Sequence, residues 1–363
     1  MFDFFKLGFH AFNIFYSKHL GLIPKSPLIV YLEITRSCNL RCKHCGIWRV
    51  NMIDKSLFKT ELSTRTIFSL VDDAARMGVK FFYLFGGETL LHKDIFRIIR
   101  RVKSNGMSCS IVTNGSLLSK KMCKRLAHAG LSSVQVSIDS PFEKKHDNVR
   151  GVDGTFNRAI EGVKFLKKFN PHLNIMINTL LSKNNVSDLK KMIELCLRLG
   201  VNGLRLTPIH DKYPFNVKGG VDKSIFLSKD DVGIFEVELL SARKLMIDNG
   251  LYTDSSDYYN GIISYFKGII PRFSCFAGLV AVEVNAYGGV FPCMASRKNV
   301  GNLNNSSFSN IWKSREFQEC RVSLKKCNNC FLSCFVEPSF RLSPVFALKN
   351  LRGLLRDKSM FLN

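Results

Sequence analysis

Six apolar runs alternate with amphipathic stretches between residues 28 and 208, and this alternation limits the possible folds more than any other feature. Strands that alternate with helices predict a parallel sheet with helical crossovers. Because there are six units and not eight, the pattern favours an open or partial barrel over a closed eight-stranded one. Functional side chains are then expected at the carboxyl edge of the sheet. The apolar runs cover residues 28–35, 79–85, 107–113, 131–139, 174–182 and 201–208.

Three cysteines follow the first apolar run directly, at that edge of the sheet. Cys38, Cys42 and Cys45 have the spacing C-x3-C-x2-C. A structural zinc ion needs four protein ligands, and His44 is badly placed as the fourth because it adjoins Cys45. Three thiolates on a short loop favour a [4Fe-4S] cluster whose remaining iron is open to another ligand. Zinc stays as the alternative interpretation.

The motifs around this loop resemble those of the radical S-adenosylmethionine (SAM) superfamily. The second predicted strand ends in "GGE" at residues 86–88, and the third ends in "TNG" at residues 113–115. "VSIDS" closes the fourth strand, Arg150 follows in "HDNVRG", and Thr89 stands where the family usually has proline. The resemblance implies an α/β fold with a partial (βα)6 radical SAM barrel. The residues that it assigns to SAM binding are His44, Gly86, Gly87, Glu88, Thr113, Asn114, Ser137, Asp139 and Arg150, with Asn178 and Leu206 near the ribose and adenine.

A second group of cysteines lies toward the C-terminus. The pattern C-x12-G-x4-C begins at Cys275, and "CNNCFLSC" follows at residues 327–334. It resembles the small SPASM and twitch domains, and it implies one auxiliary [4Fe-4S] cluster, with zinc again as the alternative. Which two of the last three cysteines complete the site is left open. The candidate ligands are Cys275, Cys293, Cys327, Cys330 and Cys334. Four more are expected to be buried apolar residues, the last being an alternative ligand: Cys109, Cys123, Cys196 and Cys320.

The N-terminal segment has helical periodicity with a phenylalanine-rich face. Phe9, Phe12 and Tyr16 recur on that face, as do Phe2 and Phe5, while polar residues recur on another. We expect the apolar face to dock on the rest of the protein. The alternative is an interfacial membrane helix or a helix that binds a partner.

These patterns give the expected domain organisation. It comprises an N-terminal amphipathic helix at 1–27, the core barrel at 28–210, a connecting helical region at 211–271, a SPASM/twitch-like domain at 272–340 and a basic C-terminal helix or tail at 341–363.

The charge balance is strongly basic, with 53 Lys and Arg residues against 29 Asp and Glu residues, a net charge of +24. Such a balance favours anionic partners such as nucleic acid, a membrane surface or acidic metabolites. Nucleic acid is not expected, because the chain has no zinc-finger, RNA-recognition or helix-turn-helix signature. No long apolar run or export leader is found, so we expect a cytoplasmic protein. Peripheral membrane association through residues 1–22 is the alternative.

The resemblance also implies the reaction. A reduced cluster on the first cysteine loop would split SAM into methionine and a 5′-deoxyadenosyl radical that abstracts hydrogen from a C–H bond. An electron donor such as flavodoxin or ferredoxin would reduce it. The expected substrate is a small anionic metabolite (a carbohydrate, nucleotide or lipid headgroup), and the expected reaction is an oxidation or rearrangement. The alternatives are a maturase of ribosomal peptides or proteins and a noncatalytic iron–sulfur electron-transfer protein.

Overall fold

The computed structural model describes residues 2–53, 60–210, 222–227, 231–327 and 330–342. The described residues form an eight-stranded sheet, and its strands are β1 (Ile29–Thr35), β2 (Phe81–Gly86), β3 (Ser108–Thr113), β4 (Ser133–Ser137), β5 (Asn174–Leu181), β6 (Gly203–Pro208), β7 (Ala281–Val284) and β8 (Val290–Phe291). The strand order is β6-β5-β4-β3-β2-β1-β7-β8. All neighbours are parallel except β7 and β8. The six predicted strands are confirmed as β1 to β6.

Helices connect the strands and follow the barrel. They are α1 (Phe2–Leu20), α2 (Ile47–Ile53), α3 (Thr64–Met77), α4 (Ile95–Ser104), α5 (Lys120–Ala129), α6 (Glu143–Arg150), α7 (Thr155–Phe169), α8 (Leu189–Leu199), α9 (Val232–Asp248), α10 (Ser256–Phe266), α11 (Phe308–Lys313), α12 (Arg315–Leu324) and α13 (Ser333–Arg341). Local sequence sets their ends, as α3 illustrates. The Ser63 hydroxyl accepts a hydrogen bond from the Thr66 N–H, and Gly78 ends the helix with a φ of 108°.

The sheet does not stop at the sixth barrel strand. β7 lies parallel to β1, with Ile29 opposite Ala281 and Leu32 opposite Val284. Among the described residues from Cys275 onward, the strands are β7 and β8, and most of the chain from residue 308 to 341 is helical as α11, α12 and α13. The first part of the cysteine-rich region therefore extends the barrel sheet.

The N-terminal helix docks with the opposite face from the one expected. Ile14 is fully buried, and the Phe15 ring stacks on the Phe276 ring with centroids 6.4 Å apart. Phe9 and Phe12, by contrast, are 67% and 54% exposed. The prediction that the aromatic face packs on the protein is wrong, because the face that carries Ile14 fits the apolar surface before β7. The side chains of Phe2 and Phe5 lie outside the described residues.

Part of the predicted organisation lies outside the described residues. The proposed C-terminal tail is described only as far as residue 342, and residues 211–221 of the connecting region are not described. Within the described residues, that region contains α9 and α10. A search of the described helices finds none long and apolar enough to cross a membrane.

Candidate functional site

The first cysteine loop leaves β1 at the carboxyl edge of the sheet and is held by the end of α6. The Arg41 N–H donates to the Arg150 carbonyl (3.2 Å), and the Lys43 N–H donates to the Val149 carbonyl (2.9 Å). Gly151 follows with a φ of 71°, and a Cβ atom there would lie 2.4 Å from the Arg41 carbonyl oxygen. The "VRG" sequence therefore allows α6 to press its end directly on the cysteine loop.

The two glycines that follow β2 pack against the other side of the same loop. The Gly87 N–H donates to the Thr35 carbonyl (2.8 Å), and the Glu88 N–H donates to the Ser37 carbonyl (2.7 Å). A Cβ atom on Gly86 would lie 2.1 Å from the Thr35 oxygen, and one on Gly87 would lie 2.2 Å from the Ser37 oxygen. No other residue fits at either position without movement of the backbone.

Glu88 fastens the end of β2 to the end of β3. Its carboxylate accepts hydrogen bonds from the Thr113 hydroxyl (2.7 Å), the Asn114 N–H (2.8 Å) and the Leu90 N–H (3.0 Å). Burial raises the pKa of Glu88 despite these bonds. The carboxylate orders the "TNG" turn from behind, whereas the Thr113 and Asn114 side chains reach the cavity described below.

Arg150 brings a positive charge to the cysteines. Its Nε lies 2.8 Å from Asp139 Oδ2 in a buried ion pair, and its Nη1 lies 4.0 Å from Cys42 Sγ. Burial alone would raise the pKa of Asp139, but the Arg150 guanidinium holds it below the ordinary value. A cation beside a thiol favours the thiolate, which is the form that binds iron.

The thiols of the loop have the environment that a cluster requires. Burial raises the pKa of Cys38 to about 11 and that of Cys42 to about 12, so both are protonated until a metal replaces the proton. The Leu40 N–H lies 3.5 Å from Cys38 Sγ and can donate to it. Burial lowers the pKa of His44 to about 4, and its Nδ1 has no hydrogen-bond partner among the described residues. The loop thus offers three thiols and one neutral ring.

One cavity of about 740 Å³ connects this loop with the far end of the barrel. It passes the ends of β2, β3, β4 and β5 and reaches α13. Among the described residues, Glu88 and Asp139 do not line the cavity. Both contact residues that do line it. The sequence-predicted residues that line it are Cys38, Cys42, His44, Cys45, Gly86, Gly87, Thr113, Asn114, Ser137, Arg150, Asn178 and Cys334.

The far end of the cavity has charged residues that the sequence interpretation missed. Arg205 on β6 forms a two-point ion pair with Asp254, with distances of 3.2 and 3.0 Å. Arg341 on α13 donates to Glu337 (2.7 Å) and to the Tyr252 hydroxyl (2.7 Å). An arginine inside an otherwise apolar strand was a usable signal for the first pair. The second pair has helical i, i+4 spacing, but its other partners, Tyr252 and Ser255, are remote in sequence.

Five C-terminal cysteines interact electrostatically. Burial raises the pKa of Cys293 to about 12, and the thiols of Cys330 and Cys275 add to the rise. Burial also raises the pKa of Cys330 to about 11, with contributions from Cys275, Cys327 and Cys334. The Ala277 N–H lies 3.5 Å from Cys275 Sγ. Buried thiols with such a donor suit an iron–sulfur cluster, and of the five C-terminal candidates only Cys334 lines the cavity among the described residues.

In the described ranges, no three His, Cys, Asp or Glu side chains gather closely enough to hold a single metal ion. The cysteine groups can still hold a [4Fe-4S] cluster, because each thiolate binds a different iron and the thiols need not converge on one ion. The remaining four cysteines are buried apolar residues as predicted: Cys109, Cys123, Cys196 and Cys320.

Curated relatives match most of the chain. The AdoMet-dependent heme synthase of Methanosarcina barkeri is 28% identical over 333 residues, which cover 85% of this chain and 89% of that protein. The PqqA peptide cyclase of Methylocella silvestris is 25% identical over 302 residues, which cover 79% of this chain and 74% of that protein.

Solved structures share the fold. Streptococcus suis SuiB bound to S-adenosylmethionine superposes with a TM-score of 0.65 at 16% identity, covering 82% of this chain and 68% of SuiB. The enzyme anSMEcpe with bound AdoMet gives a TM-score of 0.62 at 16% identity, covering 91% of this chain and 98% of that one. At such identities the likeness establishes the fold alone.

Two family models match in the predicted order. The radical SAM superfamily model matches residues 32–196, and the SPASM model, an iron–sulfur cluster-binding domain, matches residues 275–331. The chain therefore belongs to the radical SAM superfamily and is an enzyme that uses SAM and iron–sulfur clusters. More particularly, it is a radical SAM protein with a C-terminal SPASM domain, whose cysteines provide for an auxiliary cluster.

Proposed function

We propose that Cys38, Cys42 and Cys45 hold the catalytic cluster and that SAM and the substrate share the adjoining cavity. The observation that carries this proposal is the continuity of the cavity, which runs from these three thiols to α13. When bound, the reduced cluster and SAM would supply a 5′-deoxyadenosyl radical able to abstract hydrogen from a substrate C–H bond. A low-potential donor such as flavodoxin or ferredoxin would provide the electron.

The residues at the near end of the cavity would bind and orient SAM. The close contact of Gly86 and Gly87 with the cysteine loop keeps this part of the wall free of side chains. Arg150 would attract the carboxylate of SAM, and Ser137 and Asn178 offer hydrogen bonds to its ribose. His44, neutral and unpaired among the described residues at Nδ1, would pack on the adenine.

The far end of the cavity favours a small anionic substrate with an apolar body. Tyr31, Tyr83 and Phe85 line it and would exclude water from a radical. Among the described residues that line the cavity, the arginines number three and the carboxylates one, which is Glu337. Glu337 is paired with Arg341, and the carboxylates that pair with Arg150 and Arg205, which are Asp139 and Asp254, do not line the cavity. Although each arginine is ion-paired, the guanidinium groups line the cavity and two of their three carboxylate partners do not, so we expect a carboxylate or phosphate on the substrate.

A peptide substrate is the second candidate function. It is favoured by the match to a relative named PqqA peptide cyclase over 79% of this chain. The candidates differ in what stimulates SAM cleavage. Under the first, a pool of carboxylated and phosphorylated metabolites increases 5′-deoxyadenosine formation and a peptide pool does not. The reverse result would favour the peptide maturase.

The auxiliary cluster is proposed to bind Cys275, Cys293, Cys327 and Cys330. The SPASM match includes these four cysteines and ends at residue 331, before Cys334, although Cys334 also adds to the rise of the Cys330 pKa. Cys334 lines the cavity instead, and its carbonyl accepts a hydrogen bond from the Tyr31 hydroxyl (3.0 Å). We therefore assign Cys334 to the cavity wall and not to the cluster.

Iron content tests this assignment after anaerobic reconstitution. Two [4Fe-4S] clusters give about eight irons per chain. Cys330→Ala should retain about four, whereas Cys334→Ala should retain about eight. An iron content near four in Cys334→Ala, with about eight in Cys330→Ala, would reverse the assignment.

The catalytic proposal is tested by SAM cleavage. The reconstituted protein is reduced with dithionite in the presence of SAM, and 5′-deoxyadenosine is measured. Wild type and Cys196→Ala, which alters a buried cysteine on α8, should form it, and Cys42→Ala should not. Product from Cys42→Ala would refute the ligand assignment. No product from wild type, with or without the two substrate pools, would refute the function.

A further inference from the structure

The outer face of α1 is an aromatic stripe, formed by Phe9, Phe12, Tyr16 and Leu20. These side chains are 67%, 54%, 46% and 65% exposed. The rings of Phe12 and Tyr16 touch, with centroids 4.3 Å apart, so the exposed groups are continuous. Soluble surfaces rarely carry such a row, and one usually marks an interaction site.

The inner face fixes the helix so that the stripe points outward. Ile14 is fully buried, the Lys18 ammonium donates to the Cys275 carbonyl, and it lies 4.3 Å from the centre of the Phe276 ring. His10 Nε2 lies 3.2 Å from the Ser26 carbonyl oxygen. Because these contacts hold the opposite side of α1 on the protein, the stripe stays exposed while the helix is docked.

The surroundings of the stripe are basic. Residues 8–27 contain no acidic residue, and their exposed basic side chains are His19 and Lys25. Lys325 on the neighbouring element is exposed, and its ammonium lies 3.3 Å from the position that a Cβ atom of Gly21 would take. Leu22 and Ile23 continue the apolar surface, at 58% and 46% exposure. Aromatic side chains beside cations suit an anionic lipid surface, where rings enter the headgroup layer and lysines meet phosphates.

The same helix borders the active-site cavity. Gly8 and Ala11 on α1 line the cavity, and they lie within one turn of Phe9 and Phe12. Leu342, just after α13, lines it as well. A surface that binds the stripe would therefore lie close to the side of the cavity that α1 lines.

We propose that the aromatic stripe docks this enzyme on the surface of an anionic lipid bilayer, with the cavity opening beside the headgroups. The bilayer is preferred over a second copy or a protein partner because the stripe is continuous with a basic border. The helix lies on the surface and does not cross it, in agreement with the absence of a spanning helix among the described residues. This role is separate from the proposed reaction, since binding requires neither cluster nor SAM.

The test is vesicle flotation of the full chain. The vesicles contain phosphatidylcholine alone, or phosphatidylcholine with an equal part of phosphatidylglycerol. Wild type should float with the anionic vesicles only. A variant with Phe9→Ser, Phe12→Ser and Tyr16→Ser should bind them at least about tenfold more weakly, because it loses the three rings that would enter the bilayer while all charges remain. The matched control is Ile234→Ser with Val237→Ser on α9, two apolar side chains that are 69% and 68% exposed. It should bind like wild type.

Several results would overturn the proposal. One is the absence of flotation by wild type. Another is equal flotation by the stripe variant, which would show that charge alone causes vesicle binding. A third is a dimer in sedimentation that the stripe variant converts to monomer, which would make the stripe a self-association surface. If the stripe variant does not fold, as judged by thermal unfolding, Lys325→Glu replaces it. That variant should bind anionic vesicles more weakly, and unchanged binding would count against the proposal.

Discussion

Replacement of Gly87 by alanine tests how closely the SAM site depends on backbone contact. The new Cβ atom would lie 2.2 Å from the Ser37 carbonyl oxygen and 2.6 Å from that of Arg36. Ordinary contact begins near 3.4 Å, so the two segments must separate by about 1 Å. Ser37 precedes Cys38 directly, and the shift therefore reaches the cluster loop.

The size of the effect follows from this displacement. Separation weakens the hydrogen bonds of 2.8 and 2.7 Å that join the two segments, at a cost of about 2 kcal/mol in unfolding free energy. A misplacement of about 1 Å at a reacting centre costs about 100-fold in rate. We expect Gly87→Ala to form 5′-deoxyadenosine about 100-fold more slowly than wild type after reconstitution.

The matched control is Gly233→Ala on α9, where a Cβ atom would meet nothing within 4 Å. It should cleave SAM at the wild-type rate. The reasoning fails if Gly87→Ala is as fast as Gly233→Ala, because the contact would then have no bearing on the site.

Three further substitutions test the buried charges, each by urea unfolding of the protein without clusters. Glu88→Ala leaves the buried Asn114 N–H without its acceptor and should cost about 1–3 kcal/mol; an unchanged midpoint would show that the carboxylate does not order the "TNG" turn. Asp139→Asn should cost about 3 kcal/mol or more, because its arginine partner is left with an unpaired buried charge; a loss below 1 kcal/mol would contradict this. Burial, with a contribution from Glu33, raises the pKa of Glu283 to about 8. At pH values between the ordinary pKa and about 8, the folded protein keeps a proton on Glu283 that the unfolded chain has lost. The free energy of unfolding should therefore fall between about pH 5 and pH 8, by up to about 1.4 kcal/mol per pH unit. Glu283→Gln should remove that slope, and an identical slope in both proteins would rule out Glu283 as its source.

Much of the barrel could be predicted because its signals are local. The alternation of apolar runs and amphipathic helices specified β1 to β6, and the cysteine spacing after β1 specified the cluster loop. The "GGE" and "TNG" motifs lie at strand ends, where a parallel sheet brings them to one edge. The hydrogen bonds by which Glu88 joins these two motifs could not be predicted. Nothing in the local sequence indicates that its carboxylate faces away from the cavity.

Features that depend on contacts between remote segments were missed. β7 pairs with β1 although the two strands lie about 250 residues apart in sequence. The four residues of β7 do not indicate which strand they pair with. The orientation of α1 was misjudged because its aromatic residues outnumber those on the face that docks. The stacking of Phe15 on Phe276 and the Lys18 contact with the Cys275 carbonyl decide the orientation, and both partners lie in the SPASM region.

Electron paramagnetic resonance of the reduced, reconstituted enzyme tests most directly whether the first cluster has an iron open to SAM. Spectra are recorded with and without SAM, for wild type, Cys42→Ala and Cys330→Ala. The account predicts that SAM changes the signal of one reduced cluster in wild type and in Cys330→Ala, and that Cys42→Ala lacks this response. A wild-type spectrum that SAM leaves unchanged would contradict the account, as would a SAM response that persists in Cys42→Ala.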